Sequence, residues 1–339
     1  MKNYKNTITE IVSFLIIVTY IIVIGDIKNI LFIPHKSVDN IINDNFVLFS
    51  SKGSNDASNI LKDMIYLAGV KTETAKEVIK KDNPDEPVNE TPKVEETTIN
   101  YQNSGTNISW NNVLINNHSS KQVDLVNMMK DYSPISKNDI KILIIHTHGT
   151  EGYIECPSSR TEDTEKNVVK VGTVLTDKLK EYGFNVLHDP KMHDLPSYNG
   201  SYKNALNTLN WYKEHYSGIN IVLDVHRDAF ERSDGSKVKV ISEQNGKKAA
   251  QVMFVAGTDD CGLSHPNWQE NLKLAAYLYA NGNSSYPGFF RPIDLRSERF
   301  NQHITNGSLI VEFGSNGNSL DEAVYSAEIL ADIFNKSFN

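Results

Sequence analysis

Three short segments of the chain carry residues that can do metal chemistry. HTHGTEGY places His146, His148 and Glu151 within six residues, DVHRDA brings Asp224, His226 and Asp228, and VEFGSNGN holds Glu312, the sole carboxylate of an apolar run. A lone histidine is usually a satisfied core or surface residue, so it is the coincidence of three such segments that argues for a site. Imidazole nitrogen and carboxylate oxygen are ordinary Zn²⁺ ligands, and a catalytic zinc takes three protein ligands with one position left for water. Two histidines and a glutamate meet that count. Zinc lowers the pKa of a bound water to about 7, and a further carboxylate must then take its proton and pass it to the leaving amine. Glu312 is the candidate for that transfer; the alternative is a buried ion pair between Glu312 and Arg227. His226 is the clearest ligand, because no second histidine lies in its segment. His146 and His148 share a face if the first strand runs on to His148, so either can reach the metal beside Glu151. Arg227, Arg291 and Asn316 are the candidate substrate contacts.

The elements that must position these residues follow from hydrophobic spacing. Strands are expected at Ile140 to His146, Phe184 to His188, Ile219 to Val225, Gln251 to Gly257 and Ser308 to Gly314, mostly as continuous apolar runs of the kind buried on both faces. Between and after them NVVKVGTVLTDKLKEYG, SYKNALNTLNWYKEHYSG, NWQENLKLAAYLYANG and SLDEAVYSAEILADIFNKS have helical spacing, several closing at glycine. This alternation predicts an α/β domain over residues 136–339, with a mainly parallel central sheet flanked by helices. The three metal-competent segments then sit at strand ends, where open α/β sheets bind ligands. His188 and His193 look like a ligand pair but follow a strand that would not need both, and Arg291, Arg296 and Arg299 are expected to form ion pairs or a basic groove.

Ahead of this domain the texture differs. The apolar run IVSFLIIVTYIIVIG, Ile11 to Gly25, follows Lys2 and Lys5. It is shorter than the roughly 20 residues usual for a membrane span and lacks small residues suited to signal cleavage, so an uncleaved anchor with a cytoplasmic head is expected over residues 1–35. The rest of the chain is then extracytoplasmic. Residues 36–135 read as a tether with a candidate short helix at 56–69, since Lys71 to Thr98 has no aromatic residue and contains Pro84, Pro87 and Pro92. The whole chain has 339 residues and a net charge of −8, which argues against nucleic acid as a partner. Its two cysteines, Cys156 and Cys261, exclude a disulfide scaffold and a cysteine-ligated zinc finger.

From Ile140 to the carboxyl end the segments HTHGTEGY, NVVKVG, HDLPSYNGSY, DVHRDAF, NGKKAAQVMFVAGTD, HPNWQENLKLA, RPIDLRSERFNQH and VEFGSNGNSLDEA closely resemble the stage II sporulation protein P family of zinc amidases. The resemblance implies a zinc amidase-like fold and hydrolysis of the amide between N-acetylmuramic acid and L-alanine of the peptidoglycan stem peptide, during forespore engulfment. It also implies a mother-cell membrane location, and as partners a lytic transglycosylase, stage II sporulation protein D, and a multi-pass scaffold, stage II sporulation protein M. In the wider amidase superfamily the first ligand is a Gly-flanked histidine, which favours His148 and leaves His146 beside it as a supporting group. The carboxylate ligand is Glu151, within the family motif, or Glu165, which resembles the superfamily's helix-starting glutamate; Glu151 is preferred. His265 and His303 are expected to order loops or contact glycan. Two rival readings remain: a wall-binding scaffold that kept the fold without the chemistry, and a metallopeptidase cutting peptide cross-links, although no HEXXH helix is present.

Overall fold

The structure, a computed structural model, describes residues 93–100 and 102–339, all within the unit Glu90–Asn339. The expected anchor at 1–35, the helix at 56–69 and the first part of the tether lie outside the described residues. Among the described residues no helix is long and apolar enough to cross a membrane.

In chain order the elements are β1 (Val94–Thr97), β2 (Ile108–Trp110), β3 (Val113–Asn117), α1 (Leu125–Lys130), β4 (Lys141–Ile145), α2 (Val168–Glu181), β5 (Asn185–His188) and α3 (Ser201–His215). There follow β6 (Ile221–Asp228), β7 (Lys237–Gln244), β8 (Lys247–Ala250), β9 (Val252–Gly257), α4 (Trp268–Ser285), β10 (Ile293–Arg296), β11 (Ser308–Ser315) and α5 (Leu320–Ser337). Eight strands form the main sheet in the order β2-β3-β10-β9-β11-β6-β4-β5, and β1-β7-β8 form a smaller one.

The fold is α/β, but the main sheet is mixed rather than mainly parallel. β11, β6, β4 and β5 pair parallel, whereas β9 runs antiparallel to β11 and β2 antiparallel to β3. Two turns separate β6 from β9, one at 232–236, where Glu231 and Lys237 bridge antiparallel, and one between β7 and β8. Asn245 and Gly246 both have positive φ, 53° and 74°, as a two-residue hairpin between β7 and β8 requires. From β8 the chain continues into the main sheet as β9.

Part of the expected tether also proves to be folded. β1 pairs parallel with β7 and β3 with β10, so the globular unit takes in residues assigned to the linker up to 135. Val113, Ile115 and Leu125 supply the reason: all three are buried in the main core. The β2–β3 turn, Asn111 and Asn112, again has positive φ at both positions.

Strand alternation divides the two faces of the sheet. Ile142, Ile144, Leu223 and Val225 face a layer in which α2 packs on α5 and α5 on α4. Leu143, Ile145 and Val222 face the other way, against Ala205 and Leu209 of α3. α2 starts at Asn167, whose side chain caps Val169 N at 2.9 Å, and α5 starts at a capping box between Ser319 and Glu322. α4 runs past its expected stop at Gly282. That glycine lies inside the helix because a Cβ there would meet Phe290 Cε2 at 2.5 Å and Ile333 Cδ1 at 2.8 Å.

Candidate active site

β11, β6 and β4 are neighbours in the sheet, so their three motifs come together on one edge of it. On β6, Asp224 and His226 are two residues apart and share a face. Across the ladder Glu312 stands in register with His226, and Ile310 with Asp224. That face is the one α3 covers, and its polar residues lie towards the strand ends.

The turn after β4 delivers His148 and Glu151. Strand β4 ends at Ile145, so His146 and His148 do not share a strand face as the continued strand would require. Asp224 holds the turn by accepting from Thr147 N at 2.8 Å and Thr147 Oγ1 at 2.6 Å. His148 then lies edge-on to His226, with ring centroids 5.3 Å apart, and Glu151 Oε2 lies 3.4 Å from His226 Nδ1. Asp224 Oδ1 approaches His226 Nε2 to 3.0 Å, but off-line, so this is a charge contact and His226 Nε2 has no aligned hydrogen-bond partner. His148 Nδ1 and Glu312 Oε2 are likewise sealed from solvent without partners.

Charge balance follows from this packing. Burial opposes a charged His226, yet Asp224 and Glu151 on either side overcome it and hold the ring's pKa well above the ordinary imidazole value. Burial also works to raise the two carboxylates, and the same contacts reverse it, bringing both Glu151 and Asp224 down to about 2. His148 is lowered to about 4 by burial and by the charge of His226, so it is neutral at pH 7. Glu312 goes the other way. Burial, with the charges of Asp228 and Glu151 near it, lifts its carboxyl to about 8.

Among the described residues no group of three or more His, Cys, Asp or Glu is arranged as a preformed metal cage. The donor set nevertheless fits zinc. His148 offers a neutral imidazole, and His148 and His226 each have a buried nitrogen without a hydrogen-bond partner. Glu151 touches His226, and a cationic His226 between two carboxylates marks a place where positive charge is stabilised.

The other expected site residues fall elsewhere. His146 is turned away from His148: its Nε2 meets His188 Nε2 at 2.9 Å, its Nδ1 faces Val225 O at 3.3 Å, and its ring packs on Gly172 of α2. It is a packed core histidine, so the structure removes it from the ligand candidates. Glu165 is exposed and paired with Lys170 at 2.6 Å. Arg227 is buried and does not pair with Glu312. Its Nε donates to Gly152 O at 2.8 Å and its Nη2 to Ser159 O at 2.7 Å, so it clamps the loop that carries Glu151 and has no free face for substrate. Asn316 is also spent internally, donating to Glu231 Oε1 at 2.6 Å and accepting from Phe230 N at 3.1 Å. Arg291 pairs with Asp228 at 2.7 Å at the rim of the site. His193 spans His146 O and Thr208 Oγ1, and His265 meets Asn271, both ordering loops.

Asp224, already singled out in DVHRDA, shares the face of His226 as residue i−2 on a strand does, and two further residues beside the site escaped the reading of the motifs. Tyr198 stacks on His148 at 4.4 Å and 11°, Tyr202 meets the same ring edge-on at 5.5 Å, and nothing in their spacing announces either.

A sequence profile of the family described as Stage II sporulation protein P (SpoIIP) matches residues 45–335. The Stage II sporulation protein P of Bacillus subtilis (strain 168) is 25% identical over 237 residues, 64% of this chain and 56% of that relative, so the match spans little more than half of the relative's length. Among solved structures, the N-acetylmuramoyl-L-alanine amidase AmiC2 of Nostoc punctiforme aligns with a TM-score of 0.35 and 11% identity, over 59% of this chain and 95% of its own. The N-acetylmuramyl-L-alanine amidase Ami1 from Mycobacterium smegmatis gives 0.36 and 12%, over 60% and 96%. Both structural likenesses are too distant to carry an argument about chemistry. The profile match is different in kind: it runs through the three site motifs and across most of the sequence, and by it the chain belongs to the Stage II sporulation protein P family.

Proposed function

We propose that the domain is a zinc-dependent peptidoglycan hydrolase of sporulation, an N-acetylmuramoyl-L-alanine amidase that cleaves the bond between N-acetylmuramic acid and L-alanine of the stem peptide. One observation carries the reading: His148, Glu151 and His226 meet at neighbouring strand ends with Glu312 in register beside them. Held by those three residues, zinc would supply an acidified water and polarise the scissile carbonyl. The chain's own part is proton handling and positioning. His148 is already neutral at pH 7, whereas His226 must shed a proton before its nitrogen can ligate, so zinc uptake releases a proton and weakens as pH falls. Burial keeps the Glu312 carboxyl protonated up to about pH 8, and a cation held beside it would favour the ionised form, in which Oε2 would take a proton from the attacking water and return it to the departing amine. Asp224 and Arg227 fix the turn and loop that present His148 and Glu151. The rest of the reading has other grounds: the membrane anchor rests on the apolar run Ile11 to Gly25, and work beside stage II sporulation proteins D and M during engulfment on family membership alone.

The test measures zinc content and the fragments released from purified sacculi, using the full chain. The parent should hold one zinc and release stem peptides with a free L-alanine amino group. Glu312→Gln should keep the metal and lose about 10²- to 10⁴-fold in cleavage, the usual worth of a general base. Full cleavage after exhaustive chelation would sink the zinc mechanism. A chain that neither holds zinc nor cuts sacculi would be the wall-binding scaffold.

A further inference from the structure

With Arg227 and Asn316 both spent inside the fold, Arg160 beside the site still has donors to spare. Arg160 lies in the loop that Arg227 clamps, bridged antiparallel to Glu151. Its guanidinium lies over the ring of Tyr198 at 4.7 Å, and that ring stacks at 4.4 Å on His148. Arginine, tyrosine and the candidate ligand therefore form a three-layer stack leading out of the site. Tyr198 is 54% exposed and the Arg160 side chain 39%, so the outer layers face solvent.

The guanidinium is fixed by one end only. Nη1 donates to Thr150 Oγ1 and Asp194 Oδ2, both at 2.9 Å. The Asp194 side chain is 1% exposed and is itself held by Thr150 N and Thr150 Oγ1. Nε and Nη2 have no partner among the described residues. An arginine whose position is set by a buried carboxylate and an aromatic face loses little freedom on binding, and its fork geometry suits a carboxylate. An arginine needed only to pair with Asp194 would gain nothing from keeping two donors free towards solvent.

We propose that Arg160, with Tyr198 as its platform, is a subsite for a substrate carboxylate on the peptide side of the scissile amide. Two ring spacings separate the guanidinium from His148. At about 3.5 Å of chain per residue, the carboxylate belongs to one of the first residues beyond the alanine, so the ligand class is an acidic stem peptide. This rests on the amidase reading for its substrate, but its binding test does not need turnover.

The probes are N-acetylmuramoyl-L-alanyl-D-glutamic acid and its diamide, which differ in charge at that position alone. With the full chain, kcat and KM are measured for both. The parent should favour the acid about tenfold or more, through KM rather than kcat, and Arg160→Ala should bring the ratio of the two probes close to one, with Arg160→Lys between. Equilibrium binding of both probes to Glu312→Gln protein gives the same comparison without cleavage. If the parent cleaves neither probe but Glu312→Gln still prefers the acid and loses that preference on Arg160→Ala, the subsite stands and the amidase reading falls. The subsite is overturned if the chain does not discriminate between the probes, or if Arg160→Ala weakens both equally while lowering Tm, the outcome expected of an arginine that only secures Asp194.

Discussion

Arg227 shows how far a residue's type can mislead about its use. Next to His226 in a metal motif, an arginine invites a substrate role, yet its guanidinium is buried and donates to the carbonyls of Gly152 and Ser159. Hydrogen bonds from a charged donor contribute more than neutral ones, and leaving their acceptors unsatisfied adds to the loss. Arg227→Ala should therefore destabilise the domain by about 2–4 kcal/mol, visible as a lower Tm and a smaller denaturation midpoint. A guanidinium reserved for substrate would leave both unchanged on truncation. The same logic explains why His146 and His148, two residues apart, were inseparable from sequence alone. Which of them faces the site depends on where β4 stops, and that is set by Asp224, 77 positions away, pinning Thr147.

At the scale of elements, the strands that carry the site were the most legible, because β4, β6, β9 and β11 are apolar runs that can only be buried. Their helices were legible for the same reason, through spacing and caps. Short strands were not. β1 is VEET and mostly exposed, and nothing in it signals that it will pair with β7. Asn245 and Gly246, a pair suited to positive φ at both turn positions, form the β7–β8 hairpin, a signal that the expectation of a mainly parallel sheet did not use. β11 adds a constraint of its own. After Glu312 its register with β6 shifts, and Gly314 turns there with φ 71°, where an added Cβ would meet Ala250 Cβ and Asn318 Oδ1, each at 2.7 Å. Gly314→Ala should combine backbone strain with that clash and cost about 1–3 kcal/mol. Because the bulge sits two residues from Glu312, cleavage should fall further than the loss of folded protein explains. A Tm within 1 °C of the parent, with unchanged cleavage, would show that the bulge has no such role.

For the whole molecule the decisive question is where the folded unit begins. A boundary at residue 136 looked natural because the preceding stretch is polar and rich in asparagine, but composition weighs every residue alike and folding does not. Val113, Ile115 and Leu125 occupy the same core as Phe254 and Leu295. β3 covers what would be the bare edge of β10, and β1 does the same for β7. Removing residues up to 135 therefore uncovers two sheet edges and withdraws three buried side chains, each contributing about 1.5–3 kcal/mol. That loss is comparable with the 5–15 kcal/mol by which whole domains are stable. A chain of residues 90–339 should unfold cooperatively on heating, with a sharp circular-dichroism transition. A chain of residues 136–339 should be recovered mainly as aggregate, or melt at least 10 °C lower, because open edges invite pairing with other copies. Equal melting of the two chains would mean that the early strands decorate a domain already complete without them, and the boundary would return to residue 136.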